Sequence, residues 1–298
     1  MRVLLRVGAG KVLNHVKRFG FDTSSFPRNT QLAIGGGTMT VAPLDMAKAY
    51  AVLANGGYLV EPQIIDRIVN QNGQVVFANK SPKVCRNCPA EEEPAANTAA
   101  SRRQSLAADP TDWLMDNNSL EDLVESIGQT ATQAKYAPRV LDERNAFIMQ
   151  SMLRDVVKRG TGRRALVLKR NDLAGKTGTT NDAADTWFNG FNSSLVASVW
   201  VGFSGQDPLG SNAYGSNIPL PIWIDFMKVA LVDVPEILPS QPAGVVTIKV
   251  DPKTGEAVSP SNPNGISEIF LTENAPNAAQ STNQGGGEVE TIRAVDLF

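Results

Sequence analysis

The chain has 298 residues, enough to bury a full core as one large domain or two small ones. With 28 Lys+Arg against 30 Asp+Glu the formal net charge is −2, so no global basic field points to nucleic acid as a partner. Hydrophobic residues at 42% and charged residues at 19% are ordinary for a soluble globular protein. No apolar run approaches the roughly 18 residues that cross a bilayer.

Residues 1–20 read as helical pieces interrupted at Gly8-Ala9-Gly10, with Val12, Leu13 and Val16 on one face. Arg6 and the two glycines break the N-terminal apolar stretch, which does not read as a signal peptide. Gly35-Gly36-Gly37 leads into Pro43-Leu44-Asp45, and a helix then carries Met46, Ala49, Tyr50 and Leu53 on one face before stopping at Gly56-Gly57. Strand-like Ile64–Val69 and Val75–Phe77 flank Gln71-Asn72-Gly73, a strong hairpin signal. Residues 79–137 are read as an inserted variable loop, rich in Ala, Glu, Pro, Asn and Ser over 79–118.

A helix is predicted from Leu141 to Arg159, capped by Asp142, with Met149, Met152, Leu153 and Val156 as its core-facing stripe. Three strands follow. Asp172–Thr180 comes first, and Thr186–Phe191 turns through Asn192-Ser193-Ser194 into Leu195–Phe203, a turn short enough to require antiparallel pairing. Pro221 opens a last helix to Leu231, apolar on most sides and so expected to be largely buried. Gly244–Val250 with the Asp251–Gly255 turn suggests a further hairpin, in a β extension over 241–273. Residues 274–298 are expected to be a disordered tail.

Cys85 and Cys88, the two cysteines, read as a local disulfide or an inert loop pair. A zinc site needs about four ligands, and the one histidine, His15, is far away in sequence. A redox Cys-x-x-Cys would need a βαβ setting that is not there. No metal and no cofactor are expected. His15 itself reads as an ordinary surface or packing residue of a helix, which sets aside a Ser-His-Asp hydrolase.

Gly175-Lys176-Thr177 invites a phosphate-loop reading. That motif needs a glycine at position 170, which is Arg, and a helix directly after Lys-Thr. The other reading is the Lys-Thr-Gly element of serine acyl-transferases that act on D-alanyl peptides or β-lactams. A strand at a cleft edge offers the Lys176 ammonium to a substrate carboxylate, and Thr177, Thr179 and Thr180 supply hydroxyls to it. Gly178 leaves room for substrate against the backbone, and the Thr179 N–H points at the developing oxyanion.

Asp172–Asp182 together with Asp185–Phe191 closely resembles the corresponding stretch of the class A penicillin-binding proteins, the bifunctional enzymes of peptidoglycan synthesis. The resemblance extends to Gly35–Ala47, Ala51–Gly57, Arg159-Gly160-Thr161-Gly162 and Pro221-Ile222-Trp223, and spans most of residues 10–270 in order. It implies an α+β, serine β-lactamase/D,D-peptidase-like fold, an antiparallel sheet against helices, with residues 1–240 as the C-terminal part of the transpeptidase domain. It also implies a serine D,D-transpeptidase acting on D-Ala-D-Ala stem peptides and binding β-lactams. Its family location is the periplasmic face of the inner membrane, with a glycosyltransferase domain and a membrane anchor that this sequence does not contain.

The chain departs from that pattern in one respect. None of its serines has Lys three positions later, and its single Ser-x-Asn, Ser281-Thr282-Asn283, follows Lys-Thr-Gly instead of preceding it. The chain is therefore expected to be a fragment of a longer protein and inactive alone, since no acyl-enzyme forms without the nucleophile and its base. Two alternatives are a non-catalytic cell-wall binding or scaffold module and a D,D-carboxypeptidase or β-lactamase relative, which passes the acyl group to water.

Overall fold

A computed structural model describes residues 2–35, 39–85, 136–205 and 207–276. The chain divides into two compact units, one of residues 1–64 with 138–298 and a smaller one of residues 65–137.

In the larger unit, α1 (Arg2–Val7) and α2 (Ala9–Lys17) are the two expected helical pieces, separated at Gly8. Leu4 and Leu13 bury with Phe26 and Leu32, and Val12, Val16, Met39 and Val41 pack against them. His15 is exposed and meets the Phe19 ring edge-on, the ordinary role expected of it. The helix α3 spans Pro43–Ala54, and Asp45 in its first turn accepts from the Ala42 N–H. It ends at Asn55, Gly56 and Gly57. Gly57 has φ +109, and its carbonyl accepts from the Val140 and Leu141 N–H groups at 2.7 and 3.0 Å, so the glycine joins α3 to the helix that follows.

That helix, α4, spans Glu143–Arg159 and is capped by the Asp142 carboxylate on the Arg144 N–H. Its buried face corrects the expected stripe. Ala146, Gln150, Leu153 and Val157 are inside, whereas Met149 is 39% exposed and Met152 is 58% exposed. Gln150 turns the helix. Its amide donates to the carbonyls of Leu53 and Ala54, which have no partner within α3, so a polar side chain satisfies the end of a neighbouring helix.

The central sheet has strand order β3-β4-β5, with β3 at Ala174–Thr179, β4 at Asp185–Phe191 and β5 at Val196–Gly202. Both pairings are antiparallel, as the short turns require. The alternation of a strand gives the sheet two buried faces. On one, Phe188 and the half-buried Ala197 and Val199 pack with Leu173, Val157 and the helix α5 (Pro219–Ala230) through Leu220, Trp223 and Met227. Phe188 and Trp223 are fully buried and meet edge to face at 5.0 Å, each worth about 2–3 kcal/mol of burial. On the other face Ala174 and Phe191 pack against Ala54, Leu153 and the half-buried Tyr50 and Leu53. Helices thus cover both faces of an antiparallel sheet, the expected α+β layering. The helix α5 begins two residues before Pro221 and buries one side; Ile222, Phe226 and Val229 are exposed, a correction to the all-round burial expected.

Beyond α5, β6 (Val245–Val250) pairs with β7 (Ile266–Leu271). The Asp251–Gly255 turn forms as expected, but the main partner of β6 is this later strand. Arg144 and Arg159 of α4 form ion pairs with Glu273 and Glu268, which hold the extension to the helix. The predicted tail lies outside the described residues from position 277 on.

The smaller unit holds a hairpin of β1 (Arg67–Val69) and β2 (Val75–Ala78), turning at Asn72-Gly73 with Gly73 at φ +77. Ile64 to Asp66, expected to belong to the first strand, lie outside it, and Ile64 is 95% exposed. A register shift between Ile68 and Val69 marks an irregularity in the ladder, which continues to the Val69–Val75 pair. Cys85 is disulfide-bonded, in agreement with the disulfide reading; Cys88 and most of the expected loop lie outside the described residues.

Burial of Tyr50 against Phe191 pushes its phenol from 10.0 to about 12. Up to pH 10 both states keep the proton and the contribution is complete. Between 10 and 12 the unfolded chain ionises first, so stability falls as pH rises. Relative to Tyr50→Phe, the wild type is expected to lose roughly 2–3 kcal/mol across that window. Urea midpoints of both proteins at pH 8 and 11.5 check this; parallel losses would contradict it.

Candidate active site

The Lys176-Thr177-Gly178-Thr179 segment forms the outer half of β3, and no strand lies beyond β3 among the described residues. Register pairs Gly178 with Trp187 and Thr179 with Thr186, and the Thr180 N–H donates to the Asp185 carbonyl at 3.0 Å. Antiparallel bonding alternates, so Gly178 and Thr180 face β4, while the N–H and C=O groups of Thr177 and Thr179 point outward along the open edge. The edge therefore presents a backbone donor at Thr179 and hydroxyls at Thr177 and Thr179. The Lys176 ammonium lies on this same edge, donating to the Thr177 carbonyl at 2.9 Å. A phosphate loop is excluded by the same observation, because a short turn and a second strand follow the lysine where a helix would have to start.

Two neighbours hold the threonines. The Thr161 hydroxyl, in the turn after α4, lies 2.7 Å from the Thr177 hydroxyl. The Gly215 N–H donates to the Thr179 hydroxyl at 3.1 Å. A β-carbon at Gly215 would stand 2.7 Å from the Gly178 carbonyl and 3.0 Å from its nitrogen, so only glycine can lie this close over β3. At Gly178 a β-carbon would crowd the Trp187 side chain at 3.1 Å. Thr161 is visible in sequence inside Arg159-Gly160-Thr161-Gly162. Nothing in the sequence pattern signals Gly215.

Deeper in, a latch fixes where β3 starts. The fully buried Asp172 carboxylate accepts from Arg170 at 2.9 and 2.7 Å, from Asn192 at 3.3 Å and from the Ile237 N–H at 3.4 Å. Thr180, the last of the five predicted site residues, caps the strand differently. Its hydroxyl accepts from the Asp185 N–H at 2.8 Å and closes the β3–β4 turn. Among the described residues no group of three or more His, Cys, Asp or Glu is placed to hold a metal ion.

The sequence profile of the penicillin binding protein transpeptidase domain matches residues 1–110 and 114–227. The chain is 43% identical over 276 residues to penicillin-binding protein 1A of Pseudomonas aeruginosa, covering 93% of this chain and 33% of that protein. It is 31% identical over 324 residues to penicillin-binding protein 1A of Vibrio cholerae, covering 100% of this chain and 35% of that protein. The crystal structure of penicillin-binding protein 1A from Haemophilus influenzae superposes with a TM-score of 0.72 at 30% identity, over 93% of this chain and 38% of that one. The chain thus spans about a third of the length of these curated relatives. With sequence, fold and the Lys-Thr-Gly edge in agreement, the chain belongs to the transpeptidase-domain family of the class A penicillin-binding proteins.

Proposed function

We propose that the chain is part of a peptidoglycan D,D-transpeptidase that cross-links stem peptides through a serine acyl-enzyme and binds penicillin. The observation that carries this is the outer half of β3, where the Thr179 N–H, the Thr177 hydroxyl and the Lys176 ammonium share one open edge. A serine in a segment outside this chain attacks the penultimate D-alanyl carbonyl. The Thr179 N–H stabilises the oxyanion that forms, and D-alanine leaves. Lys176, Thr177, Gly178, Thr179 and Thr180 bind the substrate, with Lys176 acting electrostatically on its carboxylate. The amine of a second stem peptide then takes the acyl group from the serine.

Ser-x-x-Lys is absent from the chain and its single Ser-x-Asn, Ser281-Thr282-Asn283, follows Lys-Thr-Gly instead of preceding it, so the chain is expected to be inactive alone. The longer protein would carry them, together with a glycosyltransferase domain and an anchor at the periplasmic face of the inner membrane. Residues 1–240 supply the transpeptidase part, 79–137 a variable insertion and 241–273 an extension. A D,D-carboxypeptidase or β-lactamase shares the same edge but passes the acyl group to water, and product analysis separates the readings. The longer protein is expected to give cross-linked peptide dimers. Hydrolysed monomer as the sole product would overturn the transpeptidase assignment.

A further inference from the structure

The turn that follows α4 carries one side chain, Thr161, between two glycines. The Gly160 N–H donates to the Val156 carbonyl at 3.1 Å, and the Gly162 N–H donates to the same oxygen at 2.9 Å. The backbone is thus tied to the last turn of the helix on both sides of Thr161. A β-carbon at Gly160 would stand 2.9 Å from the Val156 α-carbon, and one at Gly162 would crowd the Val156 carbonyl oxygen at 3.1 Å. Thr161 itself is exposed, and its hydroxyl reaches β3, 2.7 Å from that of Thr177.

The same packing holds both partners. Leu153 and Val157 of α4 share buried clusters with Ala174 and Leu173, at and just before the start of β3. Helix and strand are locked to each other, so the turn keeps a fixed position beside residue 177.

Hydroxyl chemistry then assigns a direction to the Thr161–Thr177 bond. A hydroxyl has one proton to donate and two lone pairs, whereas a carboxylate only accepts. Thr177 therefore has to give its proton to the substrate carboxylate, and Thr161 is the donor within the pair. Two hydroxyls in series polarise each other in the direction that the carboxylate needs. With no hydroxyl at 161, that of Thr177 is free to turn between its staggered positions.

We infer that Thr161 is a positioning residue of the transpeptidase site, acting through Thr177, whose hydroxyl it aims at the substrate carboxylate. The inference rests on the transpeptidase reading, and its test separates the two. A bond to the carboxylate is present in the bound ground state and in the transition state alike. Its loss weakens binding and leaves the chemical step alone. A substitution that merely loosened the edge of β3 would also displace the Thr179 N–H and slow that step.

The test uses the longer protein that carries this chain with Ser-x-x-Lys. Its probe is a fluorescent penicillin, which carries a carboxylate beside its acyl-donor ring. Stopped-flow acylation at increasing probe concentration separates the dissociation constant of the first complex from the rate of acylation. Thr161→Val is expected to raise that constant about threefold to tenfold, the range of one hydrogen bond, with the acylation rate held within about twofold. Thr161→Ser keeps a hydroxyl and is expected to restore the wild-type constant. Thr177→Val, alone and combined with Thr161→Val, closes a double-mutant cycle. Once Thr177 has lost its hydroxyl, the second substitution is expected to add nothing. Three results overturn the positioning role and leave the transpeptidase reading standing: a wild-type constant in Thr161→Val, a loss carried mainly by the acylation rate, or additive losses in the double variant. A wild-type protein that takes no label brings down both.

Discussion

Thr179→Pro in the longer protein is expected to slow acylation by penicillin about 10²–10³-fold, the cost of one oxyanion donor. Proline removes the N–H and nothing else that the ladder needs. The register and the Thr180 bond to Asp185 place the Thr179 N–H on the outer side of β3, so no strand bond is lost. An edge strand tolerates proline where the interior does not. Thr179→Ala is the control, since it deletes the hydroxyl and keeps the N–H; its rate is expected to stay far closer to the wild type. Stopped-flow or gel-based acylation rates for the three proteins settle the point. Equal losses in the two variants would move the role from the backbone to the side chain, and no loss in either would remove Thr179 from the site.

Asp172→Ala is expected to destabilise the fold by about 3–5 kcal/mol, the cost of breaking a buried charge pair on one side. The Asp172 side chain is 0% exposed and Arg170 only 14% exposed. Deleting the carboxylate leaves the guanidinium without its two strongest bonds and strips a partner from the buried Asn192 amide. Arg170 also donates to the carbonyls of Val234 and Pro235, and Asn171 bonds twice to Glu236. The cluster thus ties the start of β3 and the β4–β5 turn to the segment after α5, and its loss loosens all three. Circular dichroism melts of the chain check this, with Asp172→Asn expected to fall between the wild type and the alanine variant. A loss below about 1 kcal/mol would show the pair to be replaceable by water.

The hairpin of β4 and β5 was legible because the Asn192-Ser193-Ser194 turn is short enough to leave antiparallel pairing as the one geometry within reach. The Lys-Thr-Gly edge followed from residue chemistry, and its flanks gave the family. Helix α4 shows where such reading stops. A periodic stripe of Met149, Met152, Leu153 and Val156 predicts one buried face, but Gln150 is drawn inward to the carbonyls that end α3, and the helix rotates with it. A hydrophobicity pattern counts Gln as outward and cannot see a partner 97 positions away. The same holds for Arg170 and Asp172, which read as surface charges until both their bonds and the Val234–Ile237 segment are in place. Gly215 carries no local signal, because its requirement is the closeness of another strand's backbone.

The central claim is that residues 176–179 form one wall of a penicillin-binding site whose nucleophile lies on a segment outside this chain. Labelling with a fluorescent penicillin, followed by denaturing electrophoresis, tests it most directly. The longer protein carrying Ser-x-x-Lys is expected to keep the label through denaturation, and this chain alone is expected to show none. A denaturation-resistant label on the chain alone, or an unlabelled longer protein, would contradict the account.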